Sequence, residues 1–481
     1  MTDPSTGTPA AGEYPYAFDR SHEIADLIAR FEDLAAGTDA GEVVRVAGRI
    51  RTTREHGKIA FADLEDASGK IQLFAQHAVL GDDGMGAFLA IGVGDIVGAE
   101  GEVVRTRRGE LSIKVGSTVI LAPCTRPMPE KWHGISDVEV RYRQRYLDLI
   151  VNPESRRAVS ARAVANAAVR SFFDARGFIE VETPILQPVG SGAVARPFIT
   201  HHNVLDMDLY LRVAPELYLK RLLIGGFERV YELNRSFRNE GISPRHNTEF
   251  TMLEAYEAYV DYHQTMDLVE DLTRVLAKAV GGSLEVDVGG ETIDLASPFR
   301  RITMFEAIIE AGGPDLTTPW MDGDHKAIGD EARKVGVQPH PAWGPGKVLT
   351  EVFEAISEKK LRTPTYVTGF PKEVSPLAKD HREIPGFTEH ADLVLGGVEL
   401  APVYSELNDP AEQRRRFEQQ ARAGAAGEES ALPDADFLEA LAYGMPPAGG
   451  FGFGMDRFLT LVLGWESLRE VILFPTLRPE A

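Results

Sequence analysis

The chain has 481 residues, 43% hydrophobic and 26% charged, a composition ordinary for a soluble globular protein with room for several domains. Its net charge of −22 excludes a protein that coats nucleic acid through bulk charge, though not one meeting RNA with a local basic patch. One cysteine, Cys124, excludes an internal disulfide and a cysteine-rich zinc site; with neither an apolar span nor a signal-like start, a cytoplasmic protein is expected.

Residues 1–14, rich in Thr, Pro, Ala and Gly, read as a disordered tail. In "SHEIADLIARFEDLAAG", Ile24, Leu27, Ile28 and Phe31 have the spacing of a helix with one apolar face. Five short strands follow, separated by "DASGK", "GDDGMG" and "RRGE" turns, and predict a small oligonucleotide-binding-type barrel over residues 15–125. The basic stretches "RTRRGELSIK", "TRPMPEKWHG" and "RYRQRYLDL" lie between residues 105 and 149, and 126–150 reads as a linker. From 151 to 481 a long helix, the strand "IEVETPIL" and alternating segments predict a mixed domain with a mainly antiparallel sheet flanked by helices, and a helical insertion at about 303–360. The fold class is therefore multidomain α+β. The segment 422–436 reads as a low-complexity loop or frayed helix.

Two segments suggest chemistry. In "FERVYELNRSFRNEGISPRHNTEFTMLEAYEAY" one strand face ends in Arg238, and the next strand sets Phe250, Met252, Glu254 and Tyr256 on a common face. Glu240 and His246 sit in the turn-rich loop between them. In "GGFGFGMDRF" alternating glycines leave one strand face nearly bare, as close approach of a ligand requires, and Arg457 follows at a helix start that favours anions. A third stretch, "GGVELAPVYSELNDP", carries Glu399 and Glu406 seven positions apart, on opposite faces of a straight strand. A bend near Pro402 would let both serve one site.

Together, "GFIEVETPIL", "FRNEGISPRHNTEF" and "GFGFGMDRF" resemble motifs 1, 2 and 3 of the class II aminoacyl-tRNA synthetases. "ARPFITHHN", "APELYLKR" and "TMLEAYEAY" point to the bacterial lysine branch, and the resemblance runs from about residue 42 to 479. It implies ATP-dependent activation of lysine and transfer of the lysyl group to tRNA(Lys), with Mg2+ as cofactor and no membrane or DNA partner. It implies a homodimer as well, since motif 1, here with Pro184, forms the subunit contact in the class. Residue by residue, Arg238, Glu240, His246, Phe250 and Arg457 would hold ATP, with Arg238 and Arg457 catalytic. Gly192, Glu216, Glu254, Tyr256, Tyr404 and Glu406 would hold the amino acid; Asp392, Glu399 and Glu406 the metal; and Arg54, Phe61 and Glu110 the anticodon.

The chain departs from the family pattern at several places. The residues before "YPYAFDRSH" lack the family's basic run, Ser191 replaces a glycine beside Gly192, and Asp392 stands where Glu is common. Ala401, Pro402, Val403 and Tyr404 replace a Gly-Asn-Gly-Phe run, so Pro402 occupies the place of a hydrogen-bonding asparagine. Two alternatives stay open. One is a paralogue that activates lysine or an analogue for another acceptor; the other is an RNA-binding relative with a decayed site, against which the retained Arg238, Glu240, Phe250, Glu399 and Arg457 argue.

Overall fold

The computed structural model describes residues 14–129, 135–190, 192, 195–425 and 433–479. The tail expected over 1–14 lies, except for Tyr14, outside the described residues, as do residues 426–432 of the 422–436 stretch. The chain forms two compact units, Met1–Gly134 and Ile135–Ala481.

In the first unit, β1 (Asp39–His56), β2 (Ile59–Glu65), β3 (Lys70–Gln76), β4 (Ile96–Arg105) and β5 (Leu111–Ala122) close into a barrel in the order β1-β2-β3-β5-β4. Strict alternation in β2 and β3 sends Ala60, Ala62, Leu64, Ile71, Leu73 and Ala75 into the core. The helix expected near residue 24 is α1 (Ile24–Arg30), with Ile24 and Leu27 fully buried. One expectation fails: "GDDGMG" is no turn but part of a helix, α2 (His77–Leu89), bent where Gly81 takes φ 67°. Met85 and Phe88 are buried in the barrel core, and that burial outweighs the poor helix propensity of three glycines.

The second unit begins ahead of the boundary expected at 151. Two short helices, Val138–Arg143 and Arg145–Val151, occupy the second half of the expected linker and pack into this unit. Arg145 is buried, donating to Asp148 at 2.6 Å and to the Leu473 carbonyl, while Arg141 pairs with Glu470 at 2.9 Å. A basic, aromatic stretch thus reads as linker by composition but is fixed by ion pairs to the end of the chain.

The sheet of this unit runs β9-β10-β11-β12-β13-β8-β7-β6. Its strands are β6 (Ile179–Glu180), β7 (Arg229–Phe237), β8 (Glu249–Ala258), β9 (Arg300–Thr303), β10 (Thr365–Pro371), β11 (Phe387–Leu395), β12 (Val398–Ser405) and β13 (Ala448–Gly454). All neighbours are antiparallel except the outer pairs β9–β10 and β6–β7. Helix α3 (Pro153–Asp174) covers one face through Ala161, Ala165, Val169, Phe172 and Phe173, and Phe173 stacks on Tyr231 of β7 at 4.6 Å. Phe451 and Phe453 of β13 point into the same core, so period two turns Gly450, Gly452 and Gly454 to the opposite face. The helical insertion expected at 303–360 comprises Met304–Glu310, Thr317–Met321, His325–Lys334 and Pro345–Ile356. No helix among the described residues is long and apolar enough to cross a membrane.

The parity problem of Glu399 and Glu406 is solved by a bulge rather than by a bend at Pro402. Across β11 and β12, Leu393 pairs with Ala401 but Val394 with Glu399, so Leu400 is the extra residue. One inserted residue reverses the alternation. Glu399 consequently shares the face of Pro402, Tyr404 and Glu406. Pro402 pairs with Asp392 in an otherwise regular ladder.

Candidate active site and nucleic-acid face

The bare face of β13 forms the floor of a cleft. Gly450 lies in register with Tyr256 of β8 on one side and Tyr404 of β12 on the other; Gly452 lies beside Glu254, and Gly454 beside Met252. A methyl at Gly450 would stand 2.3 Å from Glu406 Oε1 and 2.5 Å from the Tyr256 ring, and one at Gly452 would stand 2.8 Å from Met252. The glycines are therefore required by side chains that cross over them from neighbouring strands.

At the outer end the cleft has a cavity volume of about 140 Å³ and is lined by Arg238, Glu240, His246, Phe250, Glu399 and Arg457, with Pro402 among the remaining residues. Arg238 lies over the Phe250 ring at 5.2 Å, and its buried Nε lacks a hydrogen-bond partner. An unsatisfied guanidinium N–H at the wall of a cleft is a donor held ready for an anion. Opposite, at the first turn of α5 (Met455–Val462), Arg457 donates to the Glu399 carbonyl at 2.8 Å and approaches its carboxylate at 3.5 Å. His246 meets the Ser243 hydroxyl at 2.9 Å; burial and the neighbouring Arg457 hold its imidazole below the usual range. Glu240 is exposed at the mouth.

Beside this end lies an acidic wall lined by Asp392, Glu399, Glu354 and Glu358, with Arg245, His246 and Arg457. Burial raises the Asp392 carboxyl; His390, 2.8 Å away, opposes the rise and Glu399 adds to it. His390 is itself held by Ser375 at 2.7 Å and stacked on Phe370 at 3.9 Å. Glu354 and Glu358, both on the insertion, are also raised, chiefly by burial, Glu354 to about 7. The sequence reading missed them, although their i, i+4 spacing places two acids on one turn-separated face. Among the described residues no three potential ligands cluster as a preformed metal site. Asp392 and Glu399 suit Mg2+ nonetheless, because that ion binds through one or two carboxylates and completes its shell with water and phosphate oxygens.

At the inner end of the cleft acidic and phenolic side chains form a second, buried cluster, the inner chamber. Glu216 opens α4 (Glu216–Ile224), after a turn in contact with Gly192, whose φ of 99° favours glycine. Glu254, Tyr256 and Glu406 are buried around it, with Tyr256 3.4 Å from Glu254. Burial, then Glu216 and Glu232, push the Glu254 carboxyl to about 8, and burial with Glu216, Glu254 and Glu406 pushes the Tyr256 phenol well above its ordinary value. Glu406, expected also among the metal ligands, stands apart from Asp392 and Glu399. It pairs instead with Lys220 of α4 at 2.6 Å, because the run past Tyr404 carries it toward α4. Lys220 was not expected in any site; in "APELYLKR" it reads as an ordinary surface cation.

On the barrel, register aligns Arg54, Phe61, Phe74 and Lys114 in one row across β1, β2, β3 and β5. Phe61 and Phe74 stack at 5.1 Å with planes 8° apart, both half-buried. Arg54 pairs with Asp63 at 3.2 Å, and Glu110 is exposed just ahead of β5. Phe74 was missed by the sequence reading, though its outward phase in "KIQLFAQ" matches that of Phe61. Such a row suits single-stranded bases, which stack on aromatic faces between cations.

Comparison with known proteins agrees with both units. Residues 137–478 match the family described as tRNA synthetases class II (D, K and N), and residues 44–121 match the OB-fold nucleic acid binding domain. A lysine–tRNA ligase of Carboxydothermus hydrogenoformans is 50% identical over 97% of this chain and 95% of its own length. Those of Moorella thermoacetica and Xanthomonas oryzae pv. oryzae are 48% and 49% identical over 98% and 97% of this chain, and 95% and 93% of their own lengths. With two arginines in a cleft on an antiparallel sheet, a buried acidic cluster beside it and a five-stranded barrel, the chain belongs to the class II tRNA synthetases of the D, K and N group.

Proposed function

We propose that the protein is a lysine–tRNA ligase, which joins lysine to ATP as lysyl adenylate and passes the lysyl group to tRNA(Lys). The observation that carries this reading is the inner chamber. Two carboxylates, Glu254 and Glu406, are buried there and a third, Glu216, is half-buried, beside a cleft whose Arg238 Nε, lacking a partner, suits carboxylate and phosphate. One cation, Lys220, stands among these three carboxylates; acidic groups in such excess are costly to bury, and a substrate with two ammonium groups offsets them.

Arg238 holds the substrate carboxylate and the α-phosphate, and Phe250 stacks on adenine. Glu240 and His246 meet the base edge and the phosphates from the loop, and Arg457 clamps the γ-phosphate. A carboxylate oxygen of lysine attacks the α-phosphorus and pyrophosphate leaves. A ribose hydroxyl at the tRNA 3′ end then attacks the acyl carbon and AMP leaves. The carboxylate is already a nucleophile, so alignment and charge neutralisation supply the rate. Asp392 and Glu399 would hold Mg2+, which when bound neutralises charge developing on the leaving pyrophosphate. Glu216 and Glu254 face the α-ammonium of lysine in this reading, while Tyr256, Tyr404 and Glu406 enclose the ε-ammonium. Glu406 Oε1, buried and without a hydrogen-bond partner, is the acceptor left for it.

Arg54, Phe61, Phe74 and Glu110 read the anticodon. A homodimer is supported by the exposed apolar side chains of Ile179, Ile185, Leu186, Ile199, Val204 and Leu205 around motif 1. The cytoplasm, where tRNA is charged, is the expected location. The reading is tested by amino-acid-dependent pyrophosphate exchange with lysine, ornithine and norleucine. Lysine should give the signal; equal signals from norleucine would remove Glu406 from the role assigned to it.

A further inference from the structure

Lys220 is fully buried and belongs to neither the nucleotide cleft nor the substrate contacts described above. An ammonium has three N–H donors. Here two are taken, by Glu216 Oε1 at 2.7 Å and the Leu377 carbonyl at 3.5 Å, and Glu406 Oε2 stands 2.6 Å from the nitrogen in an ion pair. The nitrogen is therefore committed to groups of the protein rather than to a substrate. It instead joins the two carboxylates assigned to the two ammonium groups of lysine, and each keeps one oxygen that Lys220 does not take.

Without a cation between them, two carboxylates held this close, Glu406 fully buried and Glu216 half-buried, would not both stay ionised. The other groups facing Glu406 bring no second cation. Tyr256 on β8 and Tyr404 on β12 are phenols, β13 offers only glycine there, and Lys379 beside the Ala378 backbone turns its ammonium to Asn408 at 3.0 Å. Burial, and to a lesser degree Glu216, push Glu406 upward, and Lys220 is the group that pulls it back. For Lys220, burial disfavours the charge, but Glu216 and Glu406 outweigh it.

We propose that Lys220 is a specificity-determining positioning residue, a built-in counter-ion that fixes Glu216 and Glu406 as paired anchors for a diamino acid and so sets the preference for a side chain ending in ammonium. This rests on the reading of Glu406 as partner of the ε-ammonium.

The test uses the full-length protein, with lysine and its neutral-ended analogue norleucine. In Lys220→Met the lysine KM in pyrophosphate exchange should rise about 30-fold or more, while the ATP KM stays within about threefold. The lysine-over-norleucine preference should collapse, and the pH at which lysine binding is half-maximal should move upward, because Glu406 then needs a higher pH to ionise. Lys220→Arg, which keeps the charge, should restore most of the preference. A merely structural role would lower activity without moving the preference or the pH profile, and that outcome overturns the proposal. Should Lys220→Met fail to fold, the unmodified protein decides. At pH 8, calorimetry in two buffers should find lysine and norleucine releasing equal numbers of protons, since Glu406 is already ionised. An extra proton with lysine would show Glu406 protonated in the empty chamber and overturn the proposal. If the unmodified protein does not prefer lysine to norleucine, the reading of Glu406 itself fails; if it does and Lys220→Met does too, only the role of Lys220 fails.

Discussion

Replacing Gly450 by alanine adds a single methyl where three strands meet. It would stand 2.3 Å from Glu406 Oε1 and 2.5 Å from two carbons of the Tyr256 ring, well inside contact distance. Neither neighbour can yield easily, since Glu406 is 1% and Tyr256 4% exposed. Gly450 is not among the residues with left-handed backbone, so the cost is steric and not conformational. Overpacking of this kind costs about 1–3 kcal/mol. If that falls on the lysine chamber, the lysine KM rises roughly 5- to 150-fold. The ATP KM should change little, because the methyl is remote from Phe250 and Arg457. Steady-state pyrophosphate exchange with lysine and ATP varied in turn measures both, and thermal unfolding reports any cost to the fold. An unchanged lysine KM in a folded Gly450→Ala protein would refute the placement of Glu406 and Tyr256 at the substrate.

Further changes separate the parts of the site. Glu254 rises in the folded protein from an ordinary value of 4.5 to about 8, so the folded state holds a proton that the unfolded chain releases. Stability from this group is thus lost as pH climbs from about 4.5 to about 8. Glu254→Gln should accordingly unfold at a higher temperature than the parent at pH 8.5, with the gap narrowing at pH 6; a gap independent of pH would contradict the burial argument. Phe61→Ala and Phe74→Ala should each weaken tRNA binding by about 1–3 kcal/mol in a filter or anisotropy assay, leaving pyrophosphate exchange untouched. His390→Phe removes the partner that orients Asp392, and should raise the Mg2+ concentration needed for half-maximal exchange, read alongside Mn2+ binding by electron paramagnetic resonance. Unaltered Mn2+ binding would detach His390 from the metal.

The division between what the sequence disclosed and what it concealed has physical causes. Arg238, Phe250 and Arg457 were legible because they sit on short motifs whose neighbours constrain them: a strand ending in a charge, a glycine-bared strand, a helix start. The barrel was legible from period-two alternation, yet α2 was not, since its three glycines speak against a helix and only the burial of Met85 and Phe88 explains it. The bulge at Leu400 was invisible because no residue type there demands one, and the proline two positions on drew attention instead. Lys220, Glu354 and Glu358 escaped because their meaning depends on partners distant in sequence: Lys220 finds Glu406 across 186 positions, and the insertion returns two acids to the wall beside Asp392. Local pattern identifies groups that act through their own segment; groups that act by facing another segment need the fold.

The most direct test of the account is aminoacylation of tRNA(Lys) by the purified protein with ATP, Mg2+ and each amino acid in turn. The account predicts that lysine alone becomes esterified to the tRNA, at a rate that collapses in Glu406→Gln and survives in Phe61→Ala when tRNA is raised to saturation. Charging with a neutral-ended amino acid, or formation of lysyl adenylate with no transfer to tRNA, would contradict it.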